Sequence, residues 1–253
     1  MTGVQTCALP ILENQGQFND EVSHYAAIQN GAVFITHDGQ ILYNLSIDTN
    51  KASGVVLNER FVGSKISRVN GENRAECTIN YFKGSESGLW MTDLAAFDEV
   101  KLGEIYNGVT CKLKAYNNNI EKIFEVSPGI APEVILAKFE GCDSLTIDKN
   151  GELQVHTALG VVNFTAPIAF QDHSEERKHI EIAYLVDGHQ FGFKLGDYDK
   201  NYPLIIDPLL KSTYYGGSGK DGLLEIPMAM DADGNIYVAR DRKSTRLNSS
   251  HRL

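Results

Sequence analysis

Apolar and polar residues alternate in short runs from about Val22 to Leu210, and apolar positions almost never recur at the 3.6-residue spacing of an amphipathic helix. A period of two is that of strands with one buried face. Such runs occupy residues 32–36, 40–47, 55–62, 76–82, 109–116, 120–126, 135–139, 145–147, 153–157, 161–164, 179–186 and 190–195. Turn-forming residues separate them: His37-Asp38-Gly39, Asn117-Asn118-Asn119, Asp148-Lys149-Asn150-Gly151 and Asp187-Gly188-His189. Asp-Gly pairs reach the positive φ values of tight hairpins at little cost. The pattern predicts an all-β chain, dominated by antiparallel hairpins and packed as a β-sandwich-like domain. Two stretches read differently, a short helix around residues 92–97 and a turn at Pro132-Glu133-Val134.

Beyond Tyr198 the texture changes. Pro203, Asp207 and Pro208 stiffen a connector, and the Gly-rich segment Gly216-Gly217-Ser218-Gly219 follows, placing a boundary near residue 210. After it, residues 222–230, the turn Asp231-Ala232-Asp233-Gly234-Asn235 and the run Ile236-Tyr237-Val238-Ala239 form a strand–turn–strand unit. One such unit cannot bury its own faces, so it reads as the opening of a repeat array, a truncated β-propeller repeat over 211–240.

The two ends carry a different signature. Residues 1–11, MTGVQTCALPI, and residues 241–251, DRKSTRLNSSH, can be encoded by the two strands of one DNA stretch, the first with GTG as its start codon. That stretch has the character of a sequencing-library adapter translated into the reading frame. Segments of that kind are set aside before fold reasoning. The organisation expected is therefore 1–11 and 241–253 adapter-derived, 12–210 an N-terminal β domain, and 211–240 a partial first propeller repeat. On this reading the first residue is a truncation point, and a signal peptide would be lost with it.

Charge then narrows the partners. The chain carries 33 Asp and Glu against 23 Lys and Arg, a net charge of −10, and residues 12–240 alone carry 32 against 19. A phosphate backbone is gripped by clustered cations, so nucleic acid is excluded as a partner. Hydrophobic residues make up 42% of the chain, enough for a core, yet no stretch supplies the run of about 20 apolar residues that spans a bilayer. Once the ends are set aside, Cys77, Cys111 and Cys142 remain, at spacings that fit no CxxC zinc or redox motif. They read as buried free thiols.

Candidate chemistry was weighed against plain structure. Gly219-Lys220 evokes a phosphate loop, but Tyr214 stands where that motif needs Gly and Asp221 where it needs Ser or Thr. Ser218 lacks the second glycine and the helix of a nucleophile elbow. Asp231, Asp233 and Asn235 are candidate calcium ligands, since calcium takes six to eight oxygens, but Gly234 and the strand that follows depart from an EF-hand loop and favour a turn. Asp197 and Asp199, with Asp207, carry a similar calcium reading. No other cofactor is indicated. Histidines 24, 37, 156, 173, 179 and 189 show no paired metal spacing, and His173 and His179 flank a charged loop, so they read as solvated surface. Trp90 and the 11 tyrosines read as core or cross-strand packing rather than a sugar platform.

Several motifs occur in order: Leu12-Glu13-Asn14-Gln15-Gly16-Gln17, Tyr81-Phe82-Lys83-Gly84 with Trp90 downstream, Ile105-Tyr106-Asn107-Gly108-Val109, Phe124-Glu125-Val126-Ser127-Pro128-Gly129, and Tyr202-Pro203-Leu204-Ile205-Ile206-Asp207-Pro208. Together they resemble the uncharacterised N-terminal β domain of bacterial secreted proteins that carry SBBP-type β-propeller repeats. Ser212-Thr213-Tyr214-Tyr215-Gly216-Gly217-Ser218, Asp221, Asp231 and residues 234–239 are similar to the start of the first such repeat. The resemblance spans essentially all of 12–240. It implies an exported or cell-surface bacterial protein whose further propeller repeats lie downstream, and it brings no catalytic residues. The function expected is a non-catalytic structural or interaction module, with its own propeller repeats and an extracellular glycan or protein as partners. The rival classes are part of a secreted hydrolase acting on polysaccharide or peptide, and a carbohydrate-binding module.

Overall fold

A computed structural model of the chain describes residues 10–29, 31–46, 54–66, 68–76, 79–83, 90–116, 119–173, 176–208, 210–211, 228–230 and 236–240. The protein is all-β, as its alternation predicts, and divides into two compact units. The first comprises Met1–Ala75 and Ala96–Leu224, the second Glu76–Ala95 and Glu225–Leu253.

In the first unit the chain opens with β1 (Ile11–Glu13), β2 (Val22–Ile28), β3 (Gly31–Thr36), β4 (Ile41–Ser46), β5 (Gly54–Phe61) and β6 (Asn70–Arg74). The second unit contains β7 (Ile79–Lys83) and β8 (Met91–Leu94). The chain then re-enters the first unit with β9 (Ala96–Tyr106), β10 (Val109–Tyr116), β11 (Asn119–Val126), a 3-10 turn at Pro132–Val134, and β12 (Leu136–Glu140). There follow β13 (Ser144–Ile147), β14 (Leu153–Thr157), β15 (Gly160–Phe164), β16 (Ile168–His173), β17 (Glu176–Ile180), β18 (Ile182–Asp187), β19 (Gln190–Leu195), β20 (Leu204–Asp207) and β21 (Leu210–Lys211).

Most of these strands form one antiparallel sheet in the order β17-β16-β20-β11-β10-β9-β1-β2-β3-β4-β5-β12-β19-β18, with β6 added against β9. The sheet nearly closes into a barrel. Its two terminal strands, β17 and β18, are consecutive in the chain and separated only by Glu181, so the sheet must curl until its ends approach. Alternation puts the buried apolar residues of these strands on one face, the concave one. On β11, Ile120, Phe124 and Val126 point inward; on β10, Val109, Cys111, Leu113 and Ala115 do so. Phe124 meets Phe61 of β5 edge-on at 5.7 Å and Phe193 of β19 at 5.8 Å, contacts that only a curved sheet allows. A smaller antiparallel sheet, β13-β14-β15-β21, contributes Leu145, Leu153, Val155, Val162 and Phe164 to the same core.

Residues 92–97, expected to be helical, are the end of β8 and the start of β9. The pairing of Ile11 with Phe97 and of Arg74 with Phe97 decides their conformation, a tertiary override of weak local preference. The single run expected over 179–186 is likewise two strands, broken at Glu181.

The second unit adds β22 (Met228–Met230) and β23 (Ile236–Arg240) in the sheet order β22-β23-β7-β8. Here β23 runs parallel to β7, with Ile236 opposite Ile79, and Ile79, Tyr81 and Leu94 are buried. The strand expected at 236–239 is present. Among the described residues, no helix is long and apolar enough to cross a membrane.

Candidate functional site

An open cleft of about 460 Å³ lies in the first unit where β1, β2, β6 and β9 meet the β3–β4 hairpin. Its polar lining is Glu13, Ser23, His24, His37, Arg68 and Asn70. In the cleft wall β2 carries a bulge, where pairing with β3 slips between Val22 and His24, and Ser23 and His24 are both buried there. Glu13 stands directly opposite His24 across the β1–β2 pair, and the Phe97 ring meets the His24 ring edge-on at 5.7 Å. That ring lies over Gly71, where a Cβ would come within 2.4 Å of Phe97, so the wall requires glycine.

Ser, His and Glu are the residue types of an acyl-transfer triad, but their geometry is that of a brace. The Ser23 hydroxyl bonds Nδ1 of His24 at 2.8 Å, and both residues are largely buried in the cleft wall, at 5% and 3% exposure. Burial lowers the His24 pKa, opposed by the nearby Glu13 carboxylate, so His24 is a neutral imidazole held inside the fold. Of the two histidines expected at the surface, His179 is exposed and His173 is half-buried; His37 and His189 are exposed as well. The His173 ring lies tilted against Tyr202, 4.0 Å between ring centres, and His156 bonds the Thr146 hydroxyl at 2.7 Å.

The other residues singled out from sequence are dispersed. Asp231, Asp233 and Asn235, like Ser218, Gly219 and Lys220, lie outside the described residues. Asp199 spends its carboxylate on its own turn, accepting from the Asn201 backbone at 2.9 Å and side chain at 2.8 Å, which lowers its pKa. Asp207 instead lies beside Glu121 and is pushed up to about 7, chiefly by burial and then by that neighbouring carboxyl. Among the described residues, no cluster of three His, Cys, Asp or Glu is arranged to hold a metal. Cys111 is a buried free thiol and Cys142 a half-buried one; Cys77 lies outside the described residues. Trp90, expected in packing, is 45% exposed.

Three of the ordered motifs have a common use. Asn14 organises the loop after β1: its Nδ2 donates to Val22 O at 2.8 Å and Asn19 O at 3.0 Å, and its Oδ1 accepts from Phe18 N at 3.0 Å. Gln17 Nε2 donates to Glu13 O at 3.2 Å. The Tyr106 hydroxyl donates to Leu136 O at 2.8 Å and has Val62 O at 2.9 Å, tying β9 to the segment beside β5 and β12. The Tyr202–Pro208 segment is held by Gln171, which donates to Asp199 O at 2.7 Å and Tyr202 O at 3.1 Å and accepts from Asp199 N at 2.9 Å.

Two charged residues escaped notice in the sequence altogether. Glu59 and Lys122 point into the core, with side chains 0% and 5% exposed, and form an ion pair there. Their signal was phase: each occupies an inward position of an alternating run, Glu59 between Leu57 and Phe61, Lys122 between Ile120 and Phe124.

Compared with known proteins, residues 12–209 match the family model described as a domain of unknown function, DUF7948. No curated protein and no solved structure matches the chain.

Proposed function

The chain belongs to the DUF7948 family, and we propose that this domain is a non-catalytic structural or interaction module of an exported or cell-surface β-propeller repeat protein. The observation that carries this reading is where the ordered motifs spend their polar groups. Asn14, Gln17, Tyr106 and the Tyr202–Pro208 segment are bonded within the framework, bracing loops and joining strands. Residues kept for chemistry would instead converge on one accessible point. Burial of Ser23 and His24 supports the same reading, as does an interior filled by Tyr43, Phe61, Phe124, Phe139 and Phe193. The smaller sheet, whose residues join that core, supports reading the unit as sandwich-like. Its partners are the propeller repeats downstream and an extracellular glycan or protein, with the cleft at Glu13, His37 and Arg68 as the polar surface available for contact.

The test is an assay of the purified chain on polysaccharide and peptide substrates beside the His24→Gln variant. Rates equal to buffer for both chains agree with a non-catalytic module. Turnover by the native chain that disappears in His24→Gln would make the cleft an active site and end the proposal.

A further inference from the structure

We propose that Glu59 and Lys122 form a self-modification site, at which the Glu59 carboxyl and the Lys122 amine condense into an intramolecular amide that crosslinks β5 to β11 through the interior of the curled sheet.

The two strands are separated in the sheet order by six others, β10, β9, β1, β2, β3 and β4, yet Lys122 Nζ lies against Glu59 Oε1. The pair is sealed. Nζ sits 5.4 to 6.0 Å from the ring centres of Phe61, Phe124, Phe164 and Phe191, contributed by four different strands. Glu59 is the hydrogen-bond acceptor recorded for Nζ among the described residues. Two full charges in such surroundings lose hydration that their attraction repays only in part. Moving one proton from Nζ to Oε1 removes both charges and leaves the reactants of an amide condensation in contact.

The rest of the step needs no co-reactant. The Nζ lone pair attacks Cδ of Glu59, forming the Nζ–Cδ bond, and charge develops on Oε2. Tyr43, on the neighbouring β4, donates its hydroxyl to Oε2 at 2.7 Å, the position of an oxyanion donor. The Cδ–Oε1 bond breaks, the second Nζ proton goes to the departing oxygen, and one water leaves. The amide carbonyl stays on the Tyr43 hydroxyl. Holding both groups in contact raises their effective concentration to about 10⁵ M or more, which offsets the reluctance of a free acid and amine to condense. The aromatic enclosure then withholds the water that reversal requires. Cys111, a buried thiol that feels both Lys122 and Glu59, is raised by burial and stays protonated, so it does not compete as a nucleophile. The partly solvated Lys112–Glu99 pair, 3.1 Å apart with Lys112 33% exposed, lacks the enclosure and is an internal control.

The experiment is the intact mass of the purified chain under denaturing conditions, followed by protease digestion. The expected mass is that of the sequence less one water, with a branched peptide joining the segment of Glu59 to that of Lys122. Tyr43→Phe slows the conversion by about 100-fold and leaves an unmodified fraction in freshly made protein. Lys122→Met abolishes the branched peptide. The native chain alone decides the matter whether or not the variants fold. A mass equal to the full sequence overturns the proposal. So does a water loss that maps to a linear peptide, such as a cyclic imide at Asp38-Gly39 or Asp187-Gly188, or to Lys112 and Glu99.

Discussion

Ile180 and Ile182 are separated by a single residue, yet they belong to strands at opposite ends of the long sheet, β17 and β18. Ile180 is buried at 5% exposure, and Ile182 packs against the same core. The seam of the nearly closed barrel is thus made where the chain passes from one terminal strand to the other. Ile180→Ala should lower stability by about 2–5 kcal/mol, the cost of a cavity beside a seam with little room to relax. Lys178→Ala, on the exposed part of the same strand, should change it by less than about 0.5 kcal/mol. Urea unfolding of the two variants checks both.

A second prediction concerns the interior pair. Lys122→Ala removes the crosslink and leaves the Glu59 carboxyl buried beside Tyr43, and should cost about 3–5 kcal/mol or more. Lys122→Met with Glu59→Leu also lacks the crosslink but leaves no uncompensated charge, so it should be more stable than Lys122→Ala while staying below the native chain. Denaturant midpoints of the single and double variants test the contrast.

Asp207 gives stability a pH dependence of definite sign. Its folded pKa is raised from 3.8 to about 7 by burial and by Glu121, with Lys114 opposing, and its Oδ1 is buried without a hydrogen-bond partner. The folded state therefore holds a proton that the unfolded state releases. The stabilisation is complete below 3.8 and is lost as pH rises through about 7. Tyr184, across from it on β18, stays protonated throughout this window. Asp207→Asn, which needs no proton to sit beside Glu121, should flatten this part of the melting temperature profile.

His24 acts in the opposite direction. Burial lowers its folded pKa below 6.5, so its contribution is present above 6.5 and is lost as pH falls through the folded value. Glu13 and the exposed His37 are the titratable groups facing it. His24→Gln should remove the destabilisation on acidification while leaving the Asp207 slope in place, and melting curves of the two variants across the same pH range separate them.

Strand content was legible in the sequence because inward and outward residues alternate cleanly on β4, β5, β10 and β11. The longest strand, β9, was not. Its buried positions are Ala96, Val100, Leu102 and Ile105, and its pairing with β10 slips twice, so no single period of two runs through it. Closure was equally hidden, since alternation says which face is buried and not whether that face lines a sandwich or a curled sheet. Of the cleft, Glu13 lay within a motif but His24 and Ser23 drew no notice as a pair, because only the bulge in β2 turns neighbouring side chains into partners. Glu59 and Lys122 look like ordinary surface charges until the phase of their strands is followed. Residues 231–235, with the calcium candidates Asp231, Asp233 and Asn235, lie outside the described residues.

Whether this domain heads an exported propeller protein is decided by reading the parent gene outward past the codons for Ile11 and Asp241. Both adapter-like segments should be absent from the native gene, with an export signal upstream and tandem propeller repeats downstream. A gene that ends near Ala239, or that runs into a catalytic domain, would contradict that reading.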